Sequence, residues 1–121
     1  MKTLALATVA LFVSAGVASA QLDGRWGLFT ESCTAPDSTE IMRIDTAEGV
    51  VGFYESACDI AGLASIGEFG AWKATLTCSG EGETWTDNVV FGVFEPWDGS
   101  PERLARIDMN DGFTAIYFRC E

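Results

Sequence analysis

Four cysteines, a run of acidic residues beside tryptophans and the complete absence of histidine set the chemistry open to this chain. A nucleophile needs a base to activate it, and the usual imidazole is missing. Cys33, Cys58, Cys78 and Cys120 form an even set with no Cys-x-x-Cys pair. Two disulfides are therefore predicted, in preference to a zinc centre or a free thiolate. Paired carboxylates are the remaining catalytic option, and Glu81 and Glu83 share one loop. On the glycine-rich segment Gly80-Glu81-Gly82-Glu83 they read as solvated groups and not as a held acid/base pair. No phosphate loop occurs. The expectation is a chain that is not an enzyme, with no catalytic residue, cofactor or metal.

Two acidic clusters test that expectation. Asp108-x-Asn110-Asp111-Gly112 has some of the look of a calcium loop, but Gly112 stands where a ligand is needed and no later Glu completes the set, so a hairpin turn explains it better. Glu81, Glu83 and Asp87 come nearer to a cation site, and still fall short of one. Glu55 falls by strand alternation on the side of Val51 and Phe53, where a buried carboxylate needs a partner such as Arg43 on the neighbouring strand. Of the four tryptophans, Trp26 and Trp72 fall on a core face, whereas Trp85 and Trp97 flank acidic residues near turns. Exposed Trp beside carboxylate is the composition of a protein-binding hot spot.

The compartment follows from the first twenty residues. Lys2, an apolar run from Leu4 to Val17 and Ala18-Ser19-Ala20 before Gln21 have the form of a secretory signal peptide. Residues 1–20 are read as that leader and 21–121 as one domain, periplasmic or secreted, where disulfides persist. Gln21 in place of Cys argues against a lipoprotein anchor, and no membrane span is expected in the mature chain. The whole chain carries 18 acidic and seven basic residues, a net charge of −11, and loss of Lys2 with the leader takes it to −12. Such a field repels nucleic acid and anionic lipid, and it favours basic partners.

These residues must be positioned by strands. After residue 21, apolar and polar residues alternate between closely spaced turns, predicting strands over 25–30, 41–46, 50–56, 59–66, 71–78, 84–94, 103–108 and 114–119. Ser100-Pro101-Glu102 is also a helix-start signal, so residues 101–108 stand between helix and strand, with strand preferred. Eight short antiparallel strands expose two edges unless the sheet closes. The predicted fold is thus all-β: a small, disulfide-stapled, up-and-down β-barrel of about eight strands. Alternation places Trp26, Leu28, Met42, Ile44, Trp72, Ala74, Leu76, Val89, Phe91, Ile116 and Phe118 inside. A hairpin centred between Glu68 and Phe69 sets Cys58 opposite Cys78 and leaves Cys33 for Cys120. Meander parity, which puts Cys33, Cys58 and Cys78 near one rim, supports Cys33–Cys58 with Cys78–Cys120 instead.

Gly24-Arg25-Trp26 at the start of the first strand, with Arg119 near the end of the last, resembles the calycin pattern of lipocalins and avidins. That resemblance implies a basic side chain from the final strand packed over the tryptophan, closing one barrel end. Phe53-Tyr54-Glu55-Ser56-Ala57-Cys58 and Cys78-Ser79-Gly80-Glu81-Gly82-Glu83-Thr84-Trp85 are similar to small exported proteins of Gram-negative bacteria without a defined activity, which implies location and not chemistry. The expected function is a binding module for a basic protein, inhibitor-like, with lysozyme inhibition as one concrete form. Its candidate surface is an acidic rim of Glu81, Glu83, Trp85, Asp87, Glu95 and Trp97. The alternatives are a lipocalin- or avidin-like carrier of a small apolar molecule, and a structural envelope protein. An interior cavity or its absence separates the first two.

Overall fold

The computed structural model describes residues 20–35, 38–68 and 70–120; the predicted leader lies outside them, apart from Ala20. Eight strands form a closed barrel in chain order: β1 Gly24–Gly27, β2 Ile41–Asp45, β3 Val50–Gly52, β4 Ala57–Ser65, β5 Ala71–Gly80, β6 Glu83–Phe94, β7 Arg103–Asp108 and β8 Thr114–Cys120. Every neighbour is antiparallel, and β1 closes the ring by pairing with β8 through Trp26↔Arg119. Closure satisfies both edges that an open sheet would leave exposed. Residues 103–108 are strand and not helix, because Arg103 to Ile107 pair with β8 while Arg103 to Asp108 pair with β6. Strand β1 ends earlier than its alternation suggests: residues Thr30–Cys33 turn into a 3₁₀ helix. Strand β3 also stops early, at Gly52.

The interior is filled by its own side chains. Trp26, Met42, Ile44, Val51, Trp72, Leu76, Val89, Phe91, Leu104 and Tyr117 are all buried in one cluster with Cys58 and Cys78. Each fully buried large apolar side chain contributes about 1.5–3 kcal/mol. Two residues expected inside are not there: Ile116 is 40% exposed and Phe118 only half-buried. Strand β8 is apolar on both faces, so alternation alone cannot choose its parity, and a one-residue slip reverses every side chain. Its C-terminal end decides. Arg119 must share the face of Trp26, and Cys120 must point outward to meet Cys33. Those demands carry Tyr117 inward, opposite Leu104, and turn Phe118 out beneath the Arg103 guanidinium, 4.8 Å from the ring centroid.

The disulfides are Cys58–Cys78 and Cys33–Cys120, so the alternative pairing is set aside. Parity misleads for Cys33 because the chain does not stay at its rim. The 3₁₀ turn Thr30–Cys33 folds back along the outer face of β1 toward Cys120. Gly27 makes room for it: a Cβ there would meet Ser32 Cβ at 3.1 Å and Cys33 Sγ at 3.3 Å. Buried Ser32 anchors the turn, accepting a hydrogen bond from the Phe29 amide at 3.3 Å and donating to Glu40 Oε1 at 2.9 Å.

The Cys58–Cys78 register needs more than its hairpin turn. Near the turn, Ser65 opposes Trp72 and Ala64 opposes Lys73, a hairpin centred between Glu68 and Phe69 as expected; carried straight on, however, that centre sets Cys58 against Ser79 and not, as the sequence reading had it, against Cys78. A β-bulge between Ala61 and Ala64 shifts it by one, with two residues of β4 facing Ala74 alone. Gly62, at φ +62°, supplies the left-handed backbone this requires, and Cys58 then lies directly opposite Cys78 inside the barrel.

The end of the barrel holding both described chain ends is plugged. A 3₁₀ turn Ala20–Leu22 lays Leu22, fully buried, across it, and the Leu22 carbonyl accepts the Trp26 indole N–H at 3.0 Å. The Arg119 guanidinium stacks 4.1 Å from the Trp26 ring centroid. Its three nitrogens donate at 2.8 Å each, to Glu102 Oε1, the Asp23 carbonyl and the Gln21 carbonyl. With its side chain still 26% exposed, this cation gains about 1 kcal/mol from the indole face.

Candidate functional site

A meander alternates its turns between two ends, and the plugged end leaves the other as the mouth. The β1–β2, β3–β4, β5–β6 and β7–β8 connections meet there. The β3–β4 connection is closed by the Phe53 amide donating to the Ser56 carbonyl at 2.8 Å. It presses against the end of β5, where a Cβ on Gly80 would approach the Glu55 carbonyl and Ser56 Cβ to 2.6 Å. Only a glycine at residue 80 lets the two turns lie side by side. Beyond it, Glu81 and Gly82 form a two-residue hairpin turn with φ of +51° and +82°. Positive φ at both central residues is the type I′ pattern, in which Asn-Gly is preferred and Glu is strained.

Together these turns enclose an open cleft of about 430 Å³. Its principal walls are Phe53, Tyr54, Glu55, Glu81, Glu83 and Trp85, and no Lys or Arg among the described residues lines it. Tyr54 is 59% exposed and Trp85 38%. Glu55, Glu81 and Glu83 are exposed, and none has a salt bridge among the described residues. Three carboxylates and the exposed rings of Tyr54 and Trp85 around one concavity can receive a cation by charge and by ring quadrupole at once.

The six residues proposed for one rim are not together. Glu81, Glu83 and Trp85 line the cleft. Asp87 lies one step inward on the same face of β6, opposite buried Leu76, and its carboxylate is 3.5 Å from Arg106 Nη2. It serves the interior, where Arg106 also lies over Phe53, 5.6 Å from the ring centroid, and where burial raises the Tyr117 pKa against the opposing influence of Arg106. Glu95 and Trp97 follow the far end of β6, a 12-residue strand spanning roughly 35 Å. They cannot share a contact with Glu83. Trp97 is 98% exposed in a turn closed by the Gly99 amide and the Pro96 carbonyl, 3.3 Å apart. Its neighbour Asp98 accepts from the Ser100 amide at 3.0 Å and hydroxyl at 2.7 Å, bonds that lower its pKa.

Glu55 is also placed differently from its sequence reading. It stands in a turn beyond β3 and not in a strand beside Arg43, since β3 ends three residues earlier. Phe53, Tyr54 and Glu55 are thus the mouth residues that sequence reasoning left out. Meander parity was the available signal, because turns after β3 and β5 must share an end. The Asp108–Gly112 segment is a hairpin turn whose carboxylates accept from its own backbone, Asp108 from the Asn110 amide at 2.8 Å and Asp111 from the Phe113 amide at 2.9 Å. Among the described residues no group of three or more acidic or cysteine side chains is arranged to hold a metal ion. No family model matches this chain, and neither a curated protein nor a solved structure matches it.

Proposed function

We propose that this protein is an exported binding module whose acidic, aromatic mouth docks a basic protein, acting as an inhibitor-like ligand and not as a catalyst. The observation that carries this reading is the cleft of about 430 Å³, which Glu55, Glu81 and Glu83 line together with Phe53, Tyr54 and Trp85. Rim charges raise encounter rates with an oppositely charged partner, and aromatic anchors in a concavity hold it. The packed interior favours a protein partner over a small apolar ligand, because Trp26, Met42, Trp72 and Phe91 occupy the volume that a carrier leaves open. Two disulfides in a small barrel are compatible with an extracellular or periplasmic setting, and no described helix is long and apolar enough to cross a membrane. The Arg119–Trp26 stack supports the calycin-like resemblance at the opposite end.

The test is association with two basic probe proteins, lysozyme and cytochrome c, measured at low and at physiological salt. Glu81→Gln with Glu83→Gln keeps side-chain size and should slow association and flatten its salt dependence. Stability should change by less than about 0.5 kcal/mol. Unchanged rates at every ionic strength would refute the acidic mouth.

A further inference from the structure

Resting on that reading, we propose that the mouth cleft captures a single arginine side chain of its partner, discriminating guanidinium from ammonium. The cleft lies at the small end of ligand pockets, roughly 300–1,000 Å³, and is open to solvent. It has room for a side chain and not for a folded element. Its chemistry has two parts that only arginine satisfies together. Tyr54 and Trp85 present exposed ring surface beside carboxylates. A planar guanidinium lies flat on such a surface while its in-plane N–H groups reach carboxylates at the rim; an ammonium is a hydrated point charge that gains mainly from the latter.

Three of the chain's five arginines already lie over aromatic rings. Arg119 covers Trp26 at 4.1 Å, Arg103 covers Phe118 at 4.8 Å and Arg106 lies over Phe53 at 5.6 Å. Among the described residues Tyr54 and Trp85 have no such cation, and the carboxylates next to them have no ion pair. The Trp97 turn at the other end is a poorer candidate: it offers one fully exposed ring and no concavity. Docking of Trp97 from a second copy is opposed by charge, because Glu95 and Asp98 would approach Glu55, Glu81 and Glu83.

The experiment compares acetyl-(Gly-Arg)₄-amide with acetyl-(Gly-Lys)₄-amide, two peptides of equal length and charge, by calorimetric titration of the full chain at low salt. The arginine peptide should bind about tenfold more tightly. Trp85→Leu and Tyr54→Leu, each checked for folding by urea melt, should bring the ratio toward one while leaving weak, salt-sensitive binding of both peptides. Glu81→Gln with Glu83→Gln should weaken both. Equal affinities for the two peptides in the unmodified protein would overturn arginine capture and leave the basic-partner reading standing. Failure of both peptides and both basic probe proteins to bind would overturn that reading as well. A preference that persisted in both aromatic variants would show that the rings do not select the guanidinium, and would also overturn the proposal.

Discussion

Glu81→Asn should stabilise the protein while impairing its binding. Glu81 is the one described non-glycine residue with positive φ, at +51°, and it precedes Gly82 at +82° in a two-residue turn joining β5 to β6. Left-handed backbone costs an ordinary L-residue about 1–2 kcal/mol, and Asn recovers part of that through local hydrogen bonding. The pairing Gly80↔Glu83 shows that the turn is already formed with the geometry Asn-Gly prefers, so no rearrangement offsets the gain. The expected benefit is about 0.5–1 kcal/mol, or about 2–8 °C in Tm for a domain of this size. Urea melts followed by tryptophan fluorescence measure it, with Glu81→Gln as the control that removes the charge and keeps the strained backbone. If Gln stabilises as much as Asn, the gain is charge relief at a crowded acidic mouth and the backbone reasoning fails. If Asn gives no gain, the turn is not strained. A stabilised variant that also associates more slowly with a basic probe protein would mean that a costly residue is kept at this turn for its carboxylate.

Trp26→Ala should cost about 3–5 kcal/mol, since the indole is fully buried beneath Arg119, whereas Trp97→Ala should change stability by less than about 0.5 kcal/mol; equal losses in urea melts would contradict the packing described here. Removing Cys33–Cys120 with a double alanine variant releases a loop spanning a sequence separation of 87 and should cost about 4–5 kcal/mol by chain entropy. A loss below about 1 kcal/mol would show that other contacts hold the chain ends together. Burial raises the Tyr117 pKa, so the unfolded chain ionises first, from about pH 10. The stability due to this residue is complete below that pH and is lost as pH rises through the higher folded value. Tyr117→Phe should flatten the alkaline decline of the urea midpoint, and identical slopes would refute the assignment.

Much of the barrel was legible because strand alternation and turn chemistry are local. Strands β2 and β4 through β8 lie within a residue or two of their predicted spans, and their turns carry glycines at the expected places. The misreadings share a cause. Parity on β8 was ambiguous because Ile116 and Phe118 are more apolar than Ala115 and Tyr117, yet Arg119 and Cys120 had to face opposite sides. An inward Phe118 and an Arg119 stacked on inward Trp26 are mutually exclusive on one strand, so that conflict was visible in principle. Grouping Glu95 and Trp97 with Glu81 and Glu83 neglected the length of β6. Gly62 inside a predicted strand is a bulge signal, whereas the return of residues 30–33 along β1 has no comparable local signal.

By itself the sequence determined that the chain closes an eight-stranded antiparallel barrel, that four cysteines staple it and that no histidine is available to it, because periodicity, residue type and count need no knowledge of distance. Only the tertiary structure decided which acidic residues meet. Side chains far apart in sequence become neighbours through the meander, as Glu55 and Glu81 do across Gly80, while Glu83 at the start of β6 and Glu95 just past its end are carried to opposite ends. The disulfide partners were likewise settled by a one-residue bulge and a folded-back turn. Each changes which face and which end a residue occupies without altering the residues around it.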